Sequence, residues 1–344
     1  MLINDWFNKG HIDNHVFVIA EIAQNHDGSL GQAHAYIDAV AETGADAIKF
    51  QTHIADAEST PYEPFRVKFS YEDDTRYAYW KRMEFTFEQW KGLYDHAKEK
   101  GLEFLSSPFS EEAVCLLDKV GIAAWKIGSG EVFNKPMLKK MVQTQKPILL
   151  SSGMSTYKDI DEQIKVIGSV PYAIFQCTTA YPCPLENIGL NIIEEMREKY
   201  RCPIGFSDHS GTIFPSLAAV AKGATMIEVH ATMSQYMFGP DVKSSLSIEK
   251  MQEMISGIRM ISRMINTPVD KSSISKEMNV LKTIFSKGIY LKRDMKIGEK
   301  ILLSDISFKK PLQGIQADDY EKLIGKKLKQ NLLKDSPLHW SDLE

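Results

Sequence analysis

Two short apolar segments of this chain end in a histidine. IGFSDHSG places Ser207 and His209 two residues apart, and TMIEVHAT places Glu228 and His230 two residues apart. Side chains two apart on a strand share a face, and neighbouring parallel strands lie about 4.8 Å apart. His209 and His230 could therefore share one divalent ion, with coordination positions left open for substrate and water. The alternative is a pair of core histidines, each hydrogen-bonded internally.

Two lysines and several serines follow other apolar segments. Lys49 lies in DAIKFQT and Lys126 in AAWKIGSG, while hydroxyl groups end LEFLSSP, PILLSSG and PIGFSDHS. A ring of ammonium and hydroxyl groups suits a phosphate, or a phosphate with a carboxylate. The segment SSGM (151–154) is expected to add free backbone N–H groups ahead of a helix. Taken singly, each lysine could be a solvated or salt-bridged side chain, but two at strand ends favour an anion site.

These residues follow a pattern of eight apolar runs separated by amphipathic stretches. The runs cover 16–23, 46–52, 102–108, 123–130, 147–153, 172–179, 203–210 and 225–232. Their Ile, Val, Phe and Ala content is typical of parallel strands buried on both faces. Eight strand–helix units in about 250 residues predict an α/β protein with a (β/α)8 TIM barrel. Nearly every run turns polar at its carboxyl end, where such barrels place active residues; the alternative is that strand ends are generally polar.

Two regions fall outside the repeat. Residues 53–85 form a long aromatic and charged insertion, either an ordered wall of the barrel mouth or a surface packing element. After the barrel, a polar stretch precedes short strand-like pieces and turns. The predicted domains are a catalytic barrel over 1–265, a linker over 266–282 and a small β-rich domain over 283–344. So small a unit is expected to have little core of its own and to lean on the barrel or a partner subunit.

Composition excludes several classes of protein. The 344 residues carry a net charge of −4 and no Lys/Arg-rich tract, so nucleic acid is not an expected partner. The chain shows no apolar run near twenty residues and no signal-like start, so no membrane partner is expected. The four cysteines (Cys115, Cys177, Cys183 and Cys202) lie in no CxxC spacing, which favours a reducing cytoplasm.

A series of motifs in order resembles the sialic acid (N-acetylneuraminate) synthase family. They are IAEIAQNHDGSL, GADAIKFQT, FLSSPFS, WKIGSGE, LSSGMS, QCTTAYPCP, GFSDHSG, GATMIEVH and GPD. The C-terminal segment resembles the family's antifreeze-like (SAF) domain, so the resemblance spans about residues 15–344. It implies a transferase that condenses phosphoenolpyruvate with an N-acylated aminosugar, such as N-acetylmannosamine or a 6-deoxy-diacetamido hexose. The implied products are a nonulosonic acid and phosphate, the implied cofactor is Mn2+ or Mg2+, and the implied assembly is a domain-swapped homodimer.

The resemblance also implies roles for individual residues. Catalytic positions match Glu21, Lys49 and Asp241, with Glu21 the first candidate for proton handling, and the metal ligands match His209 and His230. Phosphoenolpyruvate-binding positions match Lys49, Ser107, Lys126, Ser129, Ser151, Thr179 and Ser207. Sugar-binding positions match Gln51, Glu131, Tyr181, Asp241 and Lys310. Departures from the family pattern are Gln176 and Thr179, and Lys310 in place of an arginine that contacts the N-acyl group.

Two other functions stay open. A lysine Schiff-base aldolase acting on a sugar 2-keto acid would use Lys126 or Lys49 and would release no phosphate. That function gives no reason for the paired histidines. A sugar-binding protein that has lost activity is the third hypothesis, and the presence of the whole set of candidate catalytic and metal-binding residues argues against it.

Overall fold

Eight parallel strands form the first part of the chain in the computed structural model, which describes residues 2–9 and 15–344. The strands are β1 (Phe17–Ala23), β2 (Ala47–Thr52), β3 (Glu103–Pro108), β4 (Trp125–Ile127), β5 (Ile148–Ser151), β6 (Tyr172–Cys177), β7 (Ile204–Asp208) and β8 (Met226–Thr232). Their hydrogen-bonded order is β3-β2-β1-β8-β7-β6-β5-β4, and the two end strands of this order contact each other. The sheet is therefore a nearly closed barrel, and the predicted (β/α)8 architecture is confirmed.

Most helices follow the strands and cover the outside of the barrel, whereas the first helix precedes β1 and packs Ile3 and Trp6 into the apolar cluster inside the barrel. The helices are α1 (Ile3–Asn8), α2 (Leu30–Ala41), α3 (Ala55–Glu58), α4 (Arg76–Met83), α5 (Phe87–Glu99), α6 (Glu111–Val120), α7 (Lys135–Gln143), α8 (Tyr157–Ile167), α9 (Leu190–Tyr200), α10 (Phe214–Ala221) and α11 (Ile248–Ile265). In α8, Thr156 and Asp159 form a capping box at the start, and Ile160 and Ile167 are buried on the inner face. The amphipathic stretches of the sequence thus become helices with one apolar face on the sheet. A short strand, β9 (Leu246–Ser247), pairs with β8.

Strand β1 explains how the barrel positions polar groups. Phe17 and Ile19 belong to the apolar cluster inside the barrel, whereas Val18, Ala20 and Ile22 pack in the cluster between the sheet and the helices. Because alternate side chains point to opposite faces, Glu21 points inward like Phe17 and Ile19. The interior is therefore apolar at the amino ends of the strands and becomes polar at their carboxyl ends.

The insertion over 53–85 is an ordered unit with its own small core. It contains α3 and α4, and buries Ala55, Tyr79, Trp80 and Met83 together. Arg82 of α4 ties it to the loop after β1 through Asp27, at 2.7 Å. These contacts favour the first of the two interpretations of this region, an ordered wall.

A second compact unit spans Pro268–Glu344, and the first spans Met1–Thr267. The second contains α12 (Lys276–Phe285), the antiparallel pair β10 (Gly288–Leu291) and β11 (Ile306–Lys309), and α13 (Tyr320–Leu323). Its α12 begins inside the stretch predicted as a linker. Contrary to expectation, the unit has a buried apolar core of its own, which includes Ile289, Leu291 and Leu338. Interlocking turns close this core with few regular strands.

Candidate active site

The carboxyl ends of the barrel strands bring two lysines and two carboxylates together. The Nζ atom of Lys49 lies 2.5 Å from Oε2 of Glu21 and 3.7 Å from Oε2 of Glu228. The Nζ atom of Lys126 lies 3.5 Å from Oε1 of Glu228. None of the four residues is more than 4% exposed. Buried charges are costly unless paired, so the four charged groups in the barrel interior stabilise one another as a cluster.

Serine hydroxyl groups surround the two ammonium groups. Lys49 donates a hydrogen bond to Oγ of Ser107 at 3.1 Å, and Lys126 donates one to Oγ of Ser151. Ser207 donates to Oε1 of Glu228 at 3.0 Å. The basic, hydroxyl-rich ring expected from the sequence is thus assembled from β2, β3, β4, β5 and β7, and its ammonium and hydroxyl donors are of the kind that bind oxyanions.

Burial and pairing shift the pKa values of these groups in different directions. Burial raises the pKa of Glu21 to about 7, with Lys49 opposing the shift and Glu228 adding to it. For Glu228, burial acts upward, but Lys126 and Lys49 outweigh it and hold the pKa at about 2. Burial lowers the pKa of Lys126, whereas the carboxylates of Glu21 and Glu228 overcome burial and raise the pKa of Lys49. Glu21 therefore titrates near neutrality while Glu228 stays ionised. Glu21 can then transfer protons, while Glu228 balances the charge of the lysines.

The two histidines at the ends of β7 and β8 face each other beside this cluster. Their ring centroids are 5.4 Å apart, and the ring of Tyr181 lies 4.1 Å from His209 and 5.9 Å from His230. Burial lowers the pKa of both imidazoles to about 3, so both are neutral. Neutral imidazole is the form that binds metals.

Hydrogen bonding leaves ring nitrogens of both histidines available. Nδ1 of His209 donates to the carbonyl oxygen of Thr178 at 2.8 Å, which fixes the tautomer and frees Nε2 as a lone-pair donor. Nδ1 of His230 is buried without a hydrogen-bond partner among the described residues. Within residues 2–9 and 15–344, no group of three or more His, Cys, Asp and Glu side chains is arranged to hold an ion. The pair fits an open site in which the protein supplies two ligands.

A cavity of about 370 Å³ opens next to the cluster and holds most of the residues that the sequence placed near a sugar. Its wall includes Gln51, Glu131, Tyr181 and Asp241, together with Ser129, Thr179 and His230. Such a volume is ordinary for a small-molecule site. Lys310, the remaining sugar-binding candidate, lies in the second compact unit, in the stretch after β11.

Several residues at the site were missed by reasoning from the sequence. Glu228 was noted as a strand-end residue without a role, although its spacing from His230 pointed to the same inward face. His53 follows Gln51 at the same spacing, and its ring lies between Trp80 at 3.8 Å and Phe109 at 4.3 Å. Arg66 also lines the cavity, and no local signal in the insertion identified it.

The segment 151–154 differs from the expectation of free N–H groups. The N–H of Ser152 donates to the carbonyl oxygen of Phe175 and that of Gly153 donates to Oγ of Ser129, while Thr156 caps α8. The expectation was wrong for Ser152 and Gly153, because a strand carbonyl and the Ser129 hydroxyl already accept hydrogen bonds from their N–H groups. Instead Gly153 lets the loop approach the site closely: a Cβ atom there would lie 2.5 Å from Oγ1 of Thr179.

The fold and the site together define a barrel protein with a buried lysine–carboxylate cluster at its carboxyl end, where enzymes of this fold carry out their chemistry. The family model described as the NeuB family matches residues 36–270, and the SAF domain matches residues 286–344. The chain belongs to the NeuB family and is an enzyme of the sialic acid synthase type with a C-terminal SAF domain. The family resemblance of its motifs is confirmed.

Relatives and solved structures are similar to this chain over most of its length. An N,N'-diacetyllegionaminic acid synthase of Campylobacter jejuni is 34% identical over 326 residues, covering 92% of this chain and 97% of that protein. The human N-acetylneuraminate-9-phosphate synthase is 30% identical over 340 residues, covering 94% and 91%. The crystal structure of a spore coat polysaccharide biosynthesis protein E from Chromobacterium violaceum has a TM-score of 0.69 at 26% identity, covering 95% and 99%. In the described part of the chain, no helix is long and apolar enough to cross a bilayer.

Proposed function

We propose that the protein condenses phosphoenolpyruvate with an N-acylated aminosugar to give a nonulosonic acid and inorganic phosphate. The observation that carries the proposal is the buried pair Lys49 and Lys126, ringed by Ser107, Ser151 and Ser207 and lying beside two neutral histidines, of which His230 lines the cavity. Lysine and serine donors suit the phosphate and carboxylate of phosphoenolpyruvate. The names of the relatives, synthases of legionaminic, pseudaminic and N-acetylneuraminic acids, support an aminosugar acceptor.

In the proposed reaction, C3 of phosphoenolpyruvate forms a bond to the aldehyde carbon of the open-chain sugar, whose oxygen takes up a proton. Water adds to C2 and gives up one proton, which balances the proton taken up by the aldehyde oxygen. The C2–O bond to phosphate then breaks, and the C2 hydroxyl gives its remaining proton to the departing phosphate as the 2-keto group forms. Lys49 and Lys126 hold the anionic groups, and Ser129 and Thr179 lie on the wall of the cavity. Glu21 accepts the proton of water, because its pKa of about 7 allows exchange near neutrality. Gln51 donates to Oε1 of Glu21 at 3.1 Å and keeps that carboxyl group oriented.

His209 and His230 would hold a divalent ion, Mn2+ or Mg2+. When bound, such an ion supplies Lewis acidity toward the carbonyl oxygen of the acceptor. Asp241 and Glu131 line the cavity that would take the acceptor, and the ring of Tyr181, which also lines it, packs against His209. The homodimer, the cytoplasmic location and the part played by Lys310 stay predictions.

The test is release of inorganic phosphate from phosphoenolpyruvate with Mn2+, in the presence of N-acetylmannosamine or a 6-deoxy-diacetamido hexose. Release that depends on the sugar and disappears with EDTA is the expected result, and the sugar that turns over fastest names the product. No phosphate release with any aminosugar would contradict the proposal.

A Schiff-base aldolase is the second candidate, and one observation favours it. Burial lowers the pKa of Lys126, which is the direction that a nucleophilic amine requires. Its ammonium group is nevertheless engaged by Glu228 and Ser151. Borohydride in the presence of pyruvate would trap an imine as a mass increase on Lys126 if this function were correct; for a phosphoenolpyruvate-dependent synthase we expect no adduct.

A further inference from the structure

Arg66 enters the cavity from the insertion over 53–85. Its Nη2 donates to Oδ1 of Asp241 at 3.0 Å, and its guanidinium carbon lies 4.3 Å from the ring centroid of Tyr181. Asp241 follows β8 and Tyr181 follows β6, so three separate loops converge on this one guanidinium. The side chain is 41% exposed, and the residue lines the cavity wall.

The contacts of Arg66 fix its plane without using all its donors. A guanidinium group carries five N–H donors in a rigid fork, and stacking on an aromatic ring leaves its edges free to donate. Because Tyr181 also packs against His209, Arg66 lies at the end of the cavity next to the paired histidines. In the proposed reaction that end holds the acceptor, whereas the phosphate end lies at Lys49 and Lys126.

The charges that line the cavity indicate what Arg66 recognises. Asp241 balances its charge, and a second arginine of the insertion, Arg76, lies 3.3 Å from Glu63. Glu58 and Glu131 also line the cavity. With each of these guanidinium groups already paired and carboxylates in excess along the cavity wall, the cavity suits a neutral oxygen of the ligand rather than an added anion.

We propose that Arg66 is a specificity-determining residue of the acceptor subsite, which donates hydrogen bonds to a carbonyl or hydroxyl oxygen of the aminosugar while Asp241 and Tyr181 hold it in place. The inference rests on the proposed function, because it assigns a residue to the acceptor of that reaction. Loss of a hydrogen bond from a charged donor in a binding site lowers affinity by about ten- to a hundredfold.

Steady-state kinetics of Arg66→Met and Arg66→Lys test the assignment, with N-acetylmannosamine and a 6-deoxy-diacetamido hexose as acceptors. For Arg66→Met we expect the KM for the acceptor to rise at least about tenfold, while the KM for phosphoenolpyruvate is little changed. Arg66→Lys should fall between the wild type and Arg66→Met, because lysine keeps the charge but lacks the planar fork.

Arg82→Met is the matched control for a structural role. Arg82 lies in the same insertion and pairs with Asp27 and Asp73, but does not line the cavity. We expect this variant to lower Tm without a selective change in the acceptor KM. If Arg66→Met instead lowered Tm and raised both KM values alike, the role assigned to Arg66 would be wrong.

Failure of the proposed function and failure of the role of Arg66 would give different experimental results. A wild-type protein that releases no phosphate with any acceptor overturns the proposed function and the inference with it. A wild type that turns over, with an acceptor KM unchanged in Arg66→Met, overturns only the role of Arg66.

Discussion

The ammonium group of Lys49 lies 2.5 Å from Oε2 of Glu21, at paired positions of two adjoining strands. Burial raises the pKa of this carboxyl group to about 7, and the Lys49 ammonium limits the rise. The pair therefore contains a group that can exchange a proton near neutral pH, held within a site that otherwise carries fixed charges.

The pH dependence of turnover follows from this relationship. Below about pH 7 Glu21 is protonated and cannot accept the proton of water, so kcat should rise as pH increases through that value. Glu21→Gln should lower kcat by roughly 10²–10⁴-fold and remove the step near pH 7. Phosphate release measured at pH values below and above 7 checks the rise in kcat of the wild type and its loss in Glu21→Gln. Glu111→Gln, an exposed carboxylate paired with Lys140 on the outer helices, is the control and should keep the wild-type profile. The same step persisting in Glu21→Gln would show that another group titrates.

Glu228 should matter more to the stability of the free protein than to ligand binding. It is the carboxylate that lies near both Lys49 and Lys126, so Glu228→Gln leaves two buried ammonium groups without this counter-charge. Removing one partner of a buried pair costs about 3–5 kcal/mol, so Tm should fall by roughly 5–10 °C.

Phosphoenolpyruvate should restore part of the Tm lost in Glu228→Gln, because its negative charges replace the missing carboxylate. Thermal unfolding with and without phosphoenolpyruvate measures this, and the shift on binding should be larger for Glu228→Gln than for the wild type. An equal or smaller shift would mean that the ligand does not lie between the two lysines.

The barrel was predictable because eight buried parallel strands leave a strong apolar pattern in the sequence. Polar residues at the carboxyl ends of these strands marked the end of the barrel where active residues lie. That reasoning located Glu21, Lys49, Lys126, His209 and His230 from spacing and motifs. It could not locate Arg66, since the approach of an insertion loop to Asp241 depends on long-range packing with no local periodicity. It also failed for the N–H groups of Ser152 and Gly153, whose partners, Phe175 of β6 and Ser129 after β4, lie more than twenty residues away in the sequence.

His209→Asn should weaken the proposed binding of a divalent metal ion. The variant removes an imidazole whose Nδ1 is engaged with Thr178 and whose Nε2 is free, so affinity for Mn2+ should fall at least about tenfold. Titration of the metal-free protein with Mn2+, followed calorimetrically, measures this independently of turnover. His339→Asn alters an exposed histidine of the second unit and should bind Mn2+ as the wild type does. Equal affinity in His209→Asn would leave the two histidines as core residues, the alternative that the sequence left open.

Gly153 provides a test of the phosphate end of the site. A Cβ atom at this position would lie 2.5 Å from Oγ1 of Thr179 and 2.7 Å from Oγ of Ser129, closer than atoms can approach. Gly153→Ala should therefore displace both hydroxyl groups, at a cost of about 1–3 kcal/mol, and raise the KM for phosphoenolpyruvate about tenfold or more.

The matched control for this substitution is Gly92→Ala. Gly92 lies within α5 with nothing within 4 Å of the added carbon, so alanine there should leave the KM unchanged and hold or raise Tm, since alanine favours helix by about 1 kcal/mol. Steady-state kinetics and thermal unfolding of the two variants separate the effects. If Gly153→Ala kept the wild-type KM for phosphoenolpyruvate, Ser129 and Thr179 would not contact that substrate, and the phosphate would have to bind deeper, between Lys49 and Lys126 alone.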